Sequence, residues 1–351
     1  MGIAGAVSLA VAGAGLIGKR HVTAIAEAGE AARLHTIVDP APAARDYAAS
    51  LGVPWFASLS DMFDAATPDG VILATPNAMH VDNALECVAR GTPALVEKPI
   101  SVDTTSARTL VEAAERTDVP ILVGHHRRHN PLIAAAKAQI DSGAIGSIVA
   151  VHGMAWLYKP DDYFDVAWRR EAGAGPVFIN LIHDVDLLRH LCGEIVSVQA
   201  LDSNAVRGNA VEDSAAILLR FESGALGTIS VSDTVVAPWS WELTAKENPA
   251  YPPTAEACYV IGGTHGSLEL PNLRLWSNPD KRGWWEAIDD AAIVVEAEDP
   301  LVRQIRHFTR VIRDGDPPLV SGREGLRTLA VIEAVKRAAA TGETVRPGET
   351  T

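Results

Sequence analysis

Cysteine and basic residues are both scarce in this sequence. Three of the 351 residues are cysteine, and Cys87, Cys192 and Cys258 lie far apart, so they form neither a disulfide framework nor the spacing of a metal site. Lysine and arginine number 30 against 44 aspartates and glutamates, which gives a net charge of −14. This balance disfavours nucleic acid and anionic membranes as partners. The few cysteines favour a reducing compartment, and we predict a cytoplasmic protein.

The first 18 residues also lack charge, as signal peptides and membrane segments do. A basic leader is missing, however, and five of the 18 residues are glycine, so we predict neither. The G-x-S-x-G motif is absent, and no cysteine lies in a nucleophile motif. Hydrophobic residues make up 48% of the chain and charged residues 21%, which is typical of a globular protein. The length predicts two domains.

A glycine motif follows the first apolar stretch, Val7–Ala12, which is of strand type. It reads Gly13-Ala14-Gly15-Leu16-Ile17-Gly18. A helical stretch and a second strand follow, and the second strand ends in Asp39, 21 residues after Gly18. This strand–turn–helix–strand spacing with a terminal acid is typical of a dinucleotide site, in which the helix N-terminus receives the pyrophosphate. Asp39 favours NAD over NADP, because its carboxylate can bond the ribose hydroxyls and would repel a 2′-phosphate.

Strands and helices alternate over the first part of the chain, which predicts a doubly wound parallel sheet in residues 1–124. Ligands bind at the carboxyl ends of such strands. We expect Asn77 to cap the helix that follows the third predicted strand. Besides Gly13, Gly15, Leu16, Ile17, Gly18 and Asp39, the predicted cofactor-binding residues at these ends are Thr75, Pro76, Asn77, His80, Glu97 and Lys98.

The pattern changes near residue 125. One helical stretch, 177–191, follows a polar, aromatic loop, and six β-rich stretches between 195 and 276 are bounded by Gly, Asn or Pro. These predict an α/β domain over 125–300 with a large, mostly antiparallel open sheet. Two helices within 301–342 follow, and the tail, 343–351, is expected to fray.

Two residues could carry proton chemistry. Lys98 follows a strand at the ligand edge, between Glu97 and Pro99, where it could bond a substrate oxygen or could simply pair with Glu97. His183 lies in a helix with a polar stripe, where it could exchange a hydroxyl proton or could bond a backbone carbonyl. The sequence alone does not decide between the catalytic and the structural interpretation of either residue. His21, on the first helix, is expected to be structural.

Several further residues are candidates for substrate binding. Arg127 lies in the run 125–130, His-His-Arg-Arg-His-Asn, where two arginines would repel a metal cation; we predict no metal and expect the arginines to bond an anionic or polyhydroxy substrate or the second domain. Trp168 and Arg169 belong to the aromatic loop before the His183 helix and suit a sugar ring or a carboxylate, or interdomain packing. Packing or a subunit interface is favoured for four further tryptophans, Trp239, Trp241, Trp284 and Trp285.

With these motifs in place, the sequence resembles the glucose–fructose oxidoreductase / inositol dehydrogenase / MocA family (Gfo/Idh/MocA) over nearly the whole chain. The resemblance rests on four stretches, namely 13–21 (Gly-Ala-Gly-Leu-Ile-Gly-Lys-Arg-His), 75–80, 97–99 (Glu-Lys-Pro) and 173–176 (Gly-Ala-Gly-Pro). It implies an N-terminal Rossmann domain and NAD(P)-dependent redox chemistry on a hydroxyl or carbonyl of a sugar, polyol or related ring. It also implies pairing through the open sheet, and hence a homo-oligomer, a dimer or a tetramer.

By this resemblance Lys98 is the catalytic lysine and His183 the catalytic histidine. Many members carry an aspartate four residues before the histidine, where this chain has Ile179; Asn180 is its polar neighbour and is a candidate for positioning substrate. Asp184 or Asp186 is expected to orient the imidazole. Two alternatives to a dehydrogenase stay open: an NAD-dependent glycosidase of the same family, and a non-catalytic sensor of NAD and a metabolite.

Overall fold

The computed structural model describes residues 5–171, 173–278 and 281–349. Contacts divide the chain into two compact units, and each unit is made of two segments. The first unit contains the chain up to His129 together with Glu298–Leu329. The second contains Asn130–Ala297 together with the chain from Ala330 onwards.

Fourteen strands and eleven helices are numbered here along the described chain. The strands are β1 (Val7–Ala12), β2 (Ala32–Val38), β3 (Trp55–Phe56), β4 (Gly70–Leu73), β5 (Ala94–Val96), β6 (Ile121–Val123), β7 (Ile148–Trp156), β8 (Ile195–Ser203), β9 (Ser214–Phe221), β10 (Leu226–Ser232), β11 (Tyr259–Gly263), β12 (Gly266–Leu270), β13 (Arg274–Ser277) and β14 (Asp289–Ala292). The helices are α1 (Leu16–Glu27), α2 (Pro42–Leu51), α3 (Leu59–Ala65), α4 (His80–Ala89), α5 (Thr104–Thr117), α6 (Pro131–Asp141), α7 (Pro176–Ile179), α8 (Leu181–Cys192), α9 (Trp241–Thr244), α10 (Pro300–Asp314) and α11 (Gly322–Thr341). None of the helices in the described ranges is both long and apolar enough to cross a membrane.

The first unit is built on a six-stranded parallel sheet with the order β3-β2-β1-β4-β5-β6. Every residue of β1 is buried, as expected for a strand covered on both faces. The predicted doubly wound Rossmann sheet is confirmed. The sequence analysis missed β3, because its two residues are too short to show a periodicity.

Helix α10 contributes to the core of the first unit. Leu301, Ile305 and Phe308 are buried in one apolar cluster with residues of β1, β2, α1 and α2. Asp299 caps α10 by accepting a hydrogen bond from the backbone nitrogen of Leu301, and it also pairs with Arg20 of α1. A segment from late in the chain therefore covers the strand that precedes the glycine motif.

The second unit contains an eight-stranded sheet with the order β14-β13-β12-β11-β7-β10-β9-β8. Strands β7 and β10 are parallel, and the other neighbours are antiparallel, which confirms the prediction. Side chains alternate along the strands: Ile217 and Leu219 of β9 are buried in a core with α6, α8 and the later part of α11, whereas Leu218 is 53% exposed on the opposite face.

Four details of the second unit differ from the predictions. The helix predicted at 177–191 is broken at Asn180 into α7 and α8. The edge strand β14 and the short helix α9 were missed. The tail does not fray as a whole, because Val345 is buried and exchanges two backbone hydrogen bonds, of 2.8 and 2.9 Å, with Val198 of β8.

The tryptophans differ in their surroundings. Trp241 is buried and packs on Tyr259, with ring centroids 5.9 Å apart, so the packing interpretation is correct for it. Trp239 packs edge-on against Trp156. Trp284 and Trp285 contact each other and are 90% and 87% exposed.

Candidate active site

The glycine motif connects β1 to α1 through a turn that glycine alone fits. Gly13 has φ +95°, and a Cβ there would collide with the carbonyl oxygen of Ala74. A Cβ on Gly18 would collide with the carbonyl oxygen of Gly13. Gly15, in contrast, faces open space and caps α1 without a side-chain hydrogen bond. The turn thus leaves room against the first turn of α1, where backbone N–H groups can meet a pyrophosphate.

Asp39 lies at the carboxyl end of β2, beside this turn. Its Oδ2 accepts a hydrogen bond from the Ala14 nitrogen (2.7 Å) and its Oδ1 accepts one from the Ala41 nitrogen (2.8 Å). Each carboxylate oxygen can accept more than one bond, so both can also receive ribose hydroxyls. Leu16 and Ile17, which follow Gly15, are 93% and 36% exposed. The residues present therefore fit a dinucleotide.

His80 connects two of the predicted cofactor-binding turns. The ring is fully buried at the start of α4, with Nδ1 2.8 Å from the Pro99 carbonyl oxygen and Nε2 2.8 Å from the Thr75 carbonyl oxygen. Pro76 precedes a 3-10 turn over Asn77–Met79. The expected cap is wrong: α4 begins only at His80, and the Asn77 side chain does not cap it, because the 3-10 turn intervenes.

Glu97 and Lys98 follow β5 at the same edge of the sheet. Glu97 is buried, its Oε1 lies 2.7 Å from Nε2 of His21, and its Oε2 accepts a hydrogen bond from the Lys98 backbone nitrogen (3.1 Å). Burial alone would raise the pKa of Glu97, but the His21 hydrogen bond and the charges of His21, His126 and Lys98 lower this pKa to about 2. Lys98 is half-buried, and the Lys98–Pro99 peptide is cis. The partnership of His21 with Glu97 was not anticipated.

The histidine and arginine run forms a 3-10 turn, His126–His129, after β6. Arg127 is 4% exposed, and Arg128 pairs with Glu324 of α11 at 3.0 Å. His129 stacks on His307 of α10 with ring centroids 5.3 Å apart, and burial with neighbouring positive charges holds the pKa of His129 well below its usual range. Across the described ranges, no group of three or more His, Cys, Asp or Glu side chains is arranged to hold a metal ion.

In the second unit, α8 carries His183 in its first turn. His183, Asp184 and Asp186 are all buried. The hydroxyl of Tyr259 in β11 donates a hydrogen bond to Asp184, so this carboxylate ties α8 to the sheet. Asn180 lies at the break between α7 and α8, which sets it apart from the regular face of the helix.

Gly175, in the 173–176 stretch, lies against Glu212, a residue that was not predicted to take part. Glu212 is buried, and its Oε1 accepts a hydrogen bond from the Val177 nitrogen (3.1 Å) at the start of α7. A Cβ on Gly175 would collide with the same carboxylate. Lys336 of α11 lies 3.5 Å from Oε2. No local pattern in the sequence signals this contact, since 35 residues separate Glu212 from Val177.

Two arginines contact aromatic rings of the loop before α7. Arg169 lies within the loop, and Arg207 connects it to Asp233, which follows β10. The Arg169 guanidinium lies 4.1 Å from the ring centroid of Tyr163 and donates to the Tyr163 carbonyl oxygen (2.8 Å). Arg207 lies 4.1 Å from the Phe164 centroid and bonds Oδ1 of Asp233 (2.8 Å). Trp168, next to Arg169, remains 54% exposed and can present a ring face to a ligand.

Burial makes the three cysteine thiols poor nucleophiles. Burial raises the pKa of Cys87 to about 12, with a further contribution from Glu86, and burial raises that of Cys192 to about 12. The third, Cys258, is fully buried.

The fold of the first unit, its glycine turn and Asp39 define an oxidoreductase with an NAD-binding Rossmann domain. Residues 7–125 match the family model described as "Oxidoreductase family, NAD-binding Rossmann fold", and residues 133–269 match the one described as "GFO/IDH/MocA C-terminal domain". The chain belongs to the Gfo/Idh/MocA family. The predicted family, enzyme class and cofactor NAD are confirmed.

Named relatives resemble the chain over most of its length. The rhizopine catabolism protein MocA of Rhizobium meliloti is 28% identical over 334 residues, covering 93% of both chains. The scyllo-inositol 2-dehydrogenase (NAD(+)) of Bacillus subtilis is 27% identical, covering 90% of this chain and 89% of the relative. The WlbA dehydrogenase of Bordetella pertussis, solved in complex with NADH and UDP-GlcNAcA, superposes with a TM-score of 0.79 at 28% identity, covering 98% of this chain and all of that one.

Proposed function

We propose that this protein is an NAD-dependent dehydrogenase that acts on a hydroxyl or carbonyl carbon of a sugar, polyol or related cyclic diol. One observation carries the proposal: within the first unit, Lys98 follows β5 at the sheet edge that also bears the glycine turn and Asp39. Lys98 is thereby available to a substrate bound against the cofactor. The sugar or polyol class comes from relatives that are named as dehydrogenases of inositols and of D-apiose.

NAD supplies the hydride acceptor for the oxidative direction. We assign two tasks to the chain's own residues. The Lys98 side chain donates a hydrogen bond to the substrate oxygen, and His183 takes the hydroxyl proton. The family resemblance and the buried setting of His183 in the first turn of α8 support its role. Arg127, Trp168, Arg169 and Asn180 are proposed to bind substrate, and the cofactor-binding set predicted from the sequence is proposed unchanged.

Two carboxylates near His183 are candidates for holding its imidazole in place, and one of them, Asp184, accepts a hydrogen bond from Tyr259. Either Asp184 or Asp186 is proposed to orient the His183 imidazole, since both are buried in the same helix and Asp186 follows His183 by three residues. We also propose that the functional domains are 1–124 for the Rossmann domain and 125–300 for the α/β domain, followed by two helices in 301–342 and a tail in 343–351. A cytoplasmic location is proposed as well.

We further propose that two or four copies associate through the exposed face of the eight-stranded sheet. Leu201, Leu218 and Leu226 lie on the three strands β8, β9 and β10 and are 72%, 53% and 53% exposed. Exposed leucines on three neighbouring strands of one sheet face are typical of a protein interface. Leu218→Glu should lower the mass measured by light scattering to that of a monomer. The control, Val294→Glu, should not, because Val294 is exposed outside this sheet. A monomeric wild-type protein would contradict the proposal.

The catalytic proposal is tested by nicotinamide absorbance at saturating NAD or NADP, across a panel of polyols, sugars, sugar acids and cyclic diols. We expect turnover with NAD, reduced by about 10²–10⁴-fold in Lys98→Ala and in His183→Ala. The matched control is Lys281→Ala, since the Lys281 side chain is 79% exposed. Wild-type turnover in either variant would refute the assigned roles. Tight NADH binding with no turnover on any compound would refute the dehydrogenase, and a glycoside-release assay would then separate a glycosidase from a sensor.

A further inference from the structure

The Glu97 carboxylate is a buried hub at the carboxyl edge of the parallel sheet. It is 6% exposed, and its two oxygens have different partners. Oε1 lies 2.7 Å from Nε2 of His21, and Oε2 accepts from the Lys98 backbone nitrogen. Gly124, just after β6, lies so close that a Cβ there would be 3.0 Å from the carboxylate. Three separate stretches of the first unit thus meet at this one group: α1, β5 with the 97–99 turn that follows it, and the end of β6.

The hub is negatively charged at neutral pH, since the pKa of Glu97 is lowered to about 2. A carboxylate only accepts hydrogen bonds, so Nε2 of His21 carries the proton that lies between them. The charged and titratable groups around it are His21 from α1, His126 from the turn after β6, and Lys98 itself. On the far side of Lys98, His80 from α4 lies 2.8 Å from the Pro99 carbonyl oxygen.

A buried carboxylate with its hydrogen-bond partner contributes little net stability, because the cost of removing the charge from water offsets the attraction. A nonpolar pair at these positions would cover α1 at lower cost in desolvation. The pair instead joins two specific places: α1, whose N-terminus is the glycine turn, and the residue directly before Lys98. An anion adjacent to a lysine also favours the charged form of that lysine. Both effects act directly on Lys98.

We propose that His21 and Glu97 are positioning residues for Lys98: the Glu97 anion, held by His21 from the cofactor helix, fixes the Lys98 backbone and keeps its side chain an ammonium donor. The catalytic significance of this arrangement rests on the role proposed above for Lys98. The arrangement itself does not require substrate and can be measured without it.

The experiment follows the pH dependence of acetylation of each lysine by trace acetic anhydride, read by mass spectrometry of peptides from the full chain. Glu97→Gln keeps the shape and the acceptor for His21 but removes the charge. We expect Lys98 in this variant to titrate at a lower pH than in the wild type, because the adjacent anion is gone. The exposed Lys281, in the same digest, should not move. An unchanged Lys98 titration in folded Glu97→Gln would overturn the proposal.

A pair of His21 variants keeps the proposal falsifiable if Glu97→Gln does not fold. His21→Gln retains an N–H donor for Glu97, whereas His21→Leu removes it and leaves the carboxylate to protonate more readily. We expect Lys98 to titrate lower in His21→Leu and to recover most of its wild-type titration in His21→Gln. Equal titrations in both variants and the wild type would overturn the proposal.

Activity then separates this inference from the proposed function. On any compound that the wild type oxidises, the pH profile of kcat for Glu97→Gln should shift by the same amount as the Lys98 titration. A purely structural role would lower the thermal midpoint and leave the profile in place, which would refute the inference. If the Lys98 titration shifts but Lys98→Ala keeps full turnover, the positioning holds and the proposed catalytic role fails.

Discussion

Replacing Gly15 by alanine should weaken cofactor binding while leaving the fold intact. Gly15 caps α1 with φ −71° and ψ −167°, an extended conformation open to any residue. A Cβ at this position meets no heavy atom within 4 Å. The added methyl group therefore occupies only the space in which the cofactor pyrophosphate would approach the backbone.

The expected changes in stability and in NADH affinity for Gly15→Ala follow from this geometry. A surface substitution without contacts changes the free energy of unfolding by about 0.5 kcal/mol or less. The methyl group, in contrast, pushes the pyrophosphate away from the first-turn N–H groups of α1. We expect the Kd of NADH to rise at least tenfold, which corresponds to about 1.4 kcal/mol. Gly18→Ala is the comparison, because its Cβ would collide with the Gly13 carbonyl oxygen and should lower the unfolding free energy instead.

Two measurements on the same protein preparations test whether Gly15 serves cofactor binding or the fold. NADH fluorescence titration gives the Kd, and thermal unfolding without cofactor gives the midpoint, which for Gly15→Ala should stay within about 2 °C of the wild type. Wild-type affinity for NADH in Gly15→Ala would refute the placement of the pyrophosphate. A large loss of thermal stability in that variant would refute the claim that the glycine serves the ligand and not the fold.

Three further predictions concern charge. Asp39→Asn should reduce the preference for NADH over NADPH by about tenfold or more, measured as the ratio of the two Kd values, since a 2′-phosphate is then no longer repelled. The pKa values of His129 and His307 are lowered by burial first and by nearby positive charges, so the unfolded chain binds protons before the folded one does. Stability is therefore full above pH 6.5 and falls as the pH drops below it, and His129→Gln should flatten this slope in urea unfolding measured from pH 8 to pH 5. Arg207→Met should lower the unfolding free energy by about 1–3 kcal/mol, because the buried Asp233 loses the guanidinium at 2.8 Å but keeps Lys159 at 3.7 Å, and Arg207→Lys should restore part of it.

The cofactor part of the site could be predicted because its signals are local. The residues of the turn, from Gly13 to Gly18, are consecutive, and Asp39 lies one helix and one strand further on. The steric reasons for Gly13 and Gly18 involve the neighbouring strand and the turn itself. The alternation of short apolar strands with helices of ten or more residues likewise predicted the parallel sheet, although the two-residue β3 was missed.

Contacts between distant residues could not be predicted in the same way. His21 and Glu97 are 76 residues apart, and nothing in either neighbourhood indicates the other. Glu212 and the start of α7 are a second case, and the pairing of Val345 with Val198 is a third. These partners are set by the tertiary fold, for which a single sequence holds no periodic signal.

Local exceptions to regular patterns account for the remaining errors. The apolar pattern continues across Asn180, so the break between α7 and α8 leaves no mark in the sequence. Strand β14 reads Asp-Asp-Ala-Ala and is fully exposed, and this composition has low strand propensity. Such an acidic edge strand also discourages pairing with another chain.

The contribution of α10 to the core of the first unit has a consequence for synthesis and for genetics. A ribosome adds residues in order, so the apolar cluster around β1 stays open until Phe308 has been made, after all of 130–297. A stop codon at position 300 would remove nothing between 130 and 297. It would nevertheless uncover the strand and helix on either side of the glycine turn, and it would also remove the part of α11 that is buried in the second unit. A late truncation should therefore weaken NAD binding and destabilise the second unit as well.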